Sequence, residues 1–125
     1  MKLEDQVCSL EYAKRLKELG IRDESHFSYY KSSIMKEYDL CTTMTARILN
    51  DKSNEIYPAF TVAELGEMLG TIFDSYKRDK YDWICRSFDL RANKTHHSFS
   101  EKESDARAKM LIYLIEIKII NVDNL

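Results

Sequence analysis

Glycine and proline are scarce in this chain, three and one in 125 residues. Loops that cradle phosphate bring bare glycine backbone against their ligand, so so few glycines count against that kind of nucleotide site. There is no G-x-S-x-G elbow, no H-E-x-x-H and no close-spaced acid cluster of the calcium-loop type. Cys8, Cys41 and Cys85 are odd in number and far apart, which fits neither a disulfide framework nor a zinc motif. A reducing cytoplasm is the expected compartment, with the thiols acting as small buried hydrophobes. A long hydrophobic run is also missing. The best stretch, residues 110–120, is interrupted by Glu116 and Lys118 and falls short of the roughly 20 residues that span a bilayer. The opening MKLEDQV lacks the apolar core of a secretory signal. Charge of one sign is absent too: 19 Lys and Arg against 21 Asp and Glu leave a net charge of -2, so no whole-chain field points to DNA or an anionic membrane.

What is present is material for a core. Hydrophobic residues make up 44%, with 8 Tyr, 5 Phe and 1 Trp, which predicts one globular domain over 1–125 without disulfide, metal or cofactor. Three helices are expected, at about 9–19, 62–69 and 101–118. Ser9 is placed to cap the first and Gly20 to stop it. Thr61 and Glu64 form a capping box for the second, Phe60 can staple onto Leu65, and Gly70 closes it. Ser100 and Glu103 suggest a capping box for the third, whose apolar second half predicts a central buried helix. Period-two alternation predicts a strand across 38–48, and aromatic and β-branched residues mark weaker strands at 27–31 and 83–90. Pro58 confines 56–60 to an edge strand or an extended lead-in. Residues 50–54 and 91–98 read as loops or hairpin turns. The fold class is therefore α+β, three helices on a small, mainly antiparallel sheet.

One segment has the composition of an interface. From 76 to 97, the bases Lys77, Arg78, Lys80, Arg86, Arg91 and Lys94 outnumber Asp79, Asp82 and Asp89, while residues 1–75 carry 9 bases and 13 acids. Tyr76, Tyr81, Trp83 and Phe88 interleave with those bases, a mixture suited to stacking unpaired bases and contacting phosphate. The candidate binding residues are Lys77, Arg78, Lys80, Tyr81, Trp83, Arg86, Arg91 and Lys94. An ordinary solvated hairpin with Trp83 and Phe88 turned inward has the same composition. Residues 61–80 also admit a helix-turn-helix unit, with TIFDSYKRDKYDW at 71–83 supplying the recognition helix, although a plain surface helix at 61–70 held by its staple is the simpler reading.

Catalytic candidates are few. His96 and His97 are adjacent, and on a strand they would face opposite ways, so they could not share a metal. An enzyme would have to gather His26, Cys41 and that pair into one pocket.

The blocks CSLEYAKRLKELG at 8–20, YPAFTVAELGEML at 57–69 and SDARAKMLIYLIE at 104–116 resemble a family of small phage and prophage proteins that carries no assigned activity. The likeness covers about a third of the chain and transfers no site residue. It implies a phage setting, and with it a non-enzymatic accessory protein that binds a host partner, in the manner of inhibitors of CRISPR nucleases and other defence complexes. Two modes are open. The segment 76–97 could dock onto a protein or guide RNA, or Asp23, Glu24, Glu37, Asp39, Glu64 and Glu67 could mimic nucleic acid. A DNA- or RNA-binding regulator using 61–80 is the alternative.

Overall fold

A computed structural model describes residues 2–22, 24–49, 55–70, 73–80 and 82–125. The order is α1 (Leu3–Gln6), α2 (Leu10–Glu18), β1 (Phe27–Lys31), β2 (Asp39–Thr42), α3 (Thr43–Leu49), β3 (Glu55–Pro58), α4 (Val62–Leu69), β4 (Phe73–Asp79), β5 (Asp82–Asp89), β6 (Lys94–Ser100) and α5 (Glu103–Glu116), then a 3-10 turn (Val122–Asn124). The class is α+β, but the strands form two three-stranded antiparallel sheets, ordered β2-β1-β3 and β4-β5-β6, instead of the one sheet expected. The helices number five among the described residues, not three.

The local signals at α4 act as anticipated. Thr61 accepts from the Glu64 backbone N–H at 3.1 Å, and the Glu64 carboxylate accepts from the Thr61 N–H at 2.8 Å. Gly70 leaves the helix with φ +87°, as Gly20 does after α2 with φ +94°. At Ser9 the expectation fails. Its side chain makes no cap bond to α2; Ser9 Oγ and Ser9 N–H instead donate to the buried Asp105 carboxylate of α5 at 2.5 and 2.6 Å. A charged acceptor binds a hydroxyl more strongly than the helix terminus can, so the tertiary bond takes precedence. Ser100 likewise belongs to β6, and α5 starts at Glu103 without a side-chain cap.

Two elements change type. The alternation across 38–48 persists only to Thr42, where the Thr42 hydroxyl accepts from the Thr45 N–H at 3.2 Å and starts α3 in place of a longer strand. Residues 73–79, read as a recognition helix, are strand β4 hydrogen-bonded along β5; the helix-turn-helix therefore has no second helix. Residues 91–98 also divide, since the turn is confined to 90–93 and β6 begins at Lys94. The Asp89 carboxylate accepts from the Arg91 and Ala92 N–H groups there, and Asn93 takes φ +48°. The predicted loop 50–54 lies outside the described residues.

The core gathers Leu16 of α2, Phe60, Leu65 of α4, Cys85 of β5 and Met110, Leu111 and Leu114 of α5. The buried residues of α5 run through both halves, Ser104, Asp105, Ala106 and Ala108 in the first and Met110, Leu111 and Leu114 in the second, while Tyr113 in the helix and Ile117 and Ile119 beyond it are exposed. Among the described residues no helix is long and apolar enough to cross a membrane.

All three thiols are free, and burial pushes Cys8 and Cys85 up to about 12 and raises Cys41 as well. An acid harder to ionise folded than unfolded favours unfolding once pH passes its unfolded value. The stabilising difference is complete below 9.0 and falls as pH rises toward about 12. The urea midpoint should therefore drop on going from about pH 8 to about pH 10, and Cys8 and Cys85 should resist alkylation until the protein unfolds. A midpoint flat across that range would contradict the burial of these thiols.

Candidate interaction surface

Strand alternation divides the β4-β5-β6 sheet into two unlike faces. Phe73, Ser75 and Lys77 of β4 pair with Ser87, Cys85 and Trp83 of β5, which pair with His96, Ser98 and Ser100 of β6. This inner face meets α5: Ser98 Oγ donates to the Ala106 carbonyl at 2.6 Å, and the His96 ring lies 5.2 Å from that of Tyr113.

The outer face runs Asp74–Arg86–His97 in one row and Tyr76–Ile84–Phe99 in the next, with Phe88 opposite Thr95. Tyr76, Phe88 and Phe99 are 40%, 39% and 44% exposed, because the helices pack on the other side. Ile84, between Tyr76 and Phe99, is only 5% exposed. Two arginines roof that apolar row: the guanidinium carbon of Arg86 lies 5.0 Å from the Tyr76 ring centre, and that of Arg78 lies 5.5 Å from Phe99.

Both arginines carry their own counter-ions. Arg86 Nε and Nη2 clasp the Asp74 carboxylate, the Nε bond being 2.9 Å, and Arg78 pairs with Asp82. The Arg86 hydrogen bond holds the Asp74 carboxyl below the usual carboxylate range.

The sequence candidates therefore separate. Arg78 and Arg86 share the outer face. Lys77 and Trp83 turn to the inner side, where they line a cavity of about 750 Å³ with Val62 and Ala63 of α4 and Glu103 and Arg107 of α5. Lys80 and Arg91 occupy the two hairpin turns, Lys94 stands opposite Asp89 at the far end of the sheet, and Tyr81 lies outside the described residues. Phe99, Ile84 and Asp74 belong to the surface although charge counting passed over them. The signal for Asp74 was the alternation of residues 73–79; Ile84 and Phe99 join it through the pairing of β5 with β4 and β6.

Three of the acids proposed for mimicry, Glu24, Glu64 and Glu67, line one pocket, and Glu37 and Asp39 are not among its lining. Glu64 is consumed internally, accepting from the Thr61 and His26 N–H groups and the Ser25 hydroxyl. Glu24 pairs with Arg47, and Asp23 lies outside the described residues. The catalytic candidates are not gathered either. Cys41 reaches the Ser28 carbonyl, His96 faces Tyr113 and His97 stacks on Phe99, while His26 bonds Glu64 through its backbone. Among the described residues no three His, Cys, Asp or Glu side chains are placed to hold a metal ion.

Comparison with protein-family models, with curated proteins and with solved structures yields no match to this chain.

Proposed function

We propose that this protein is a non-enzymatic, phage-type accessory protein that works in the host cytoplasm by docking onto a host protein, a CRISPR nuclease or another defence complex being the target. The observation that carries the docking surface is the outer face of the β4-β5-β6 sheet, where Tyr76, Phe88 and Phe99 are exposed around a buried Ile84. Aromatic residues and arginine are the types that anchor protein interfaces. Asp74 and Asp82 already satisfy the two arginines, so phosphate would have to displace a carboxylate at each, whereas a protein partner can leave both pairs intact. That favours protein docking over nucleic acid at this face. The phage setting rests on the three sequence blocks.

The test is a pull-down from host lysate, with and without nuclease treatment, followed by cleavage assays with the purified defence complex. The wild-type chain is expected to retain a nuclease complex through the treatment and to slow its cleavage. Tyr76→Ala with Phe99→Ala should weaken that binding by roughly 30-fold or more, the loss of at least one interface hot spot. The double variant should still be folded at the assay temperature by circular dichroism, with its melting temperature lowered because the two rings cover Ile84. Unchanged inhibition by the double variant, or recovery of nucleic acid alone, would overturn the reading.

A further inference from the structure

A second cluster, on the other sheet, gathers residues that sequence spacing keeps far apart. Continuing the antiparallel register of β1 with β2 and β3 sets Tyr38 and Glu55 on either side of Lys31, and Tyr57 beside Tyr29, all on one face. Over that face lies α2, whose Lys14 and Lys17 are spaced i,i+3 and project together. The Tyr38 and Tyr57 rings sit 6.0 Å apart. The Lys14 ammonium is 4.9 Å from the Tyr38 ring centre and 5.6 Å from that of Tyr57. Lys17 is 5.0 Å from Tyr57, and Lys31 is 5.7 Å from Tyr38.

The charge balance here differs from that of the outer β4-β5-β6 face. Among the described residues none of Lys14, Lys17 and Lys31 has a carboxylate within ion-pairing distance. The acid at the cluster, Glu55, is engaged by the Tyr38 hydroxyl, and Lys17 also donates to the Ile56 carbonyl at 2.8 Å. Three ammonium groups are thus drawn together by two electron-rich rings on a chain of net charge -2, against the single carboxylate of Glu55, with which none of them forms an ion pair. The cations are all lysine. Arginine's fork matches carboxylate and phosphate alike, while lysine binds phosphate as a point charge without fixed geometry, which suits contact with a backbone irrespective of its sequence. Tyr38 and Tyr57 are half-buried, Tyr57 against the core, so the lysines supply the contact to a phosphate backbone and only the exposed parts of the rings are left for bases.

We propose that Lys14, Lys17, Lys31, Tyr38 and Tyr57 form a binding surface for single-stranded nucleic acid, separate from the protein-docking face. The two surfaces together would suit a target that is a nucleoprotein complex. The inference does not depend on the docking proposal, because its readout is a purified chain with a purified oligonucleotide.

The test is fluorescence anisotropy with dye-labelled oligothymidylate, in parallel with a duplex and with polyglutamate. Three phosphate contacts to a single strand predict a log–log salt slope of about -2, hence roughly a 20-fold loss of affinity between about 50 and about 200 mM salt. Lys14→Gln with Lys31→Gln should remove most of the binding and flatten the slope by about 1.4, whereas arginine at the same two positions should retain both. Arg78→Gln with Arg86→Gln, on the other sheet, should leave it unchanged. Absence of binding at low salt, binding indifferent to the lysine changes, or equal binding of polyglutamate would each overturn the assignment. Thermal melts of the Gln variants that match wild type would show that lost binding is not lost folding.

Discussion

Leu114→Ala is expected to cost about 2 to 5 kcal/mol of stability and to lower the melting temperature by roughly 8 to 20 °C. Leu114 is 1% exposed and lies in the core with Met110 and Leu111, where α5 meets the inner face of the β4-β5-β6 sheet. The cost has two parts, the lost transfer of the side chain from water and the cavity it leaves, and the second depends on how far the neighbours can collapse. Collapse is restricted here, because the Leu114 carbonyl also ties down the end of the helix, accepting from the Ile119 and Ile120 N–H groups at 2.9 and 3.1 Å. Lys94→Ala, at an exposed position next to the β5–β6 turn, should stay within about 0.5 kcal/mol. Chemical denaturation of both variants decides the matter, and equal midpoints would refute this core.

Arg107→Ala should be the most costly polar substitution, at about 3 kcal/mol. The guanidinium joins three elements. Nη1 donates to the Val62 carbonyl of α4 at 2.8 Å, Nε and Nη2 donate to Ser75 Oγ of β4 at 3.0 and 2.9 Å, and Nη2 reaches Glu103 of α5 at 3.2 Å. It also lies 4.9 Å from the Phe73 ring centre. Space for it depends on Gly66, where a Cβ would come within 2.5 Å of Nη1. Removing the side chain takes a donor from the Val62 carbonyl and from Ser75 Oγ, and leaves the Glu103 carboxylate with the Ser75 hydroxyl but without its counter-ion, in surroundings only partly open to water, which sets the size of the loss. Lysine should not restore it, since a single ammonium cannot reach acceptors on three elements from one position. A loss under about 0.5 kcal/mol in urea unfolding would mean that water replaces the network without penalty.

Several features of the fold were legible in the chain because their cause is local. The Thr61–Glu64 box needs four consecutive residues, and the stops at Gly20 and Gly70 need one residue able to take positive φ. Strands β1 and β5 followed from their aromatic and β-branched content. Pro58 falls at the end of β3, an edge strand, where its missing N–H interrupts no ladder. Local chemistry was also present but overlooked at Thr42, whose hydroxyl starts α3 inside an alternating sequence.

Long-range contacts decided the remainder. Residues 73–79 can be drawn as an amphipathic helix or as a strand, and the ladder offered by β5 selects the strand. The bases of 76–97 are close in sequence, yet alternation and turn position send Arg86 outward, Trp83 inward and Lys80 to a hairpin tip; which of them keep a free charge depends on Asp74 and Asp82 across the strands. Ser9 offers the same hydroxyl to its own helix and to Asp105, 96 positions away, and the buried carboxylate takes it. By itself the sequence determined the α+β class, the principal helix stops and the candidate core, since caps and periodicity act over a few residues. Only tertiary structure decided the division into two sheets, the membership of each face and the meeting of Lys14, Lys31, Tyr38 and Tyr57, because strand pairing and ion pairing are settled between residues that the chain order keeps apart.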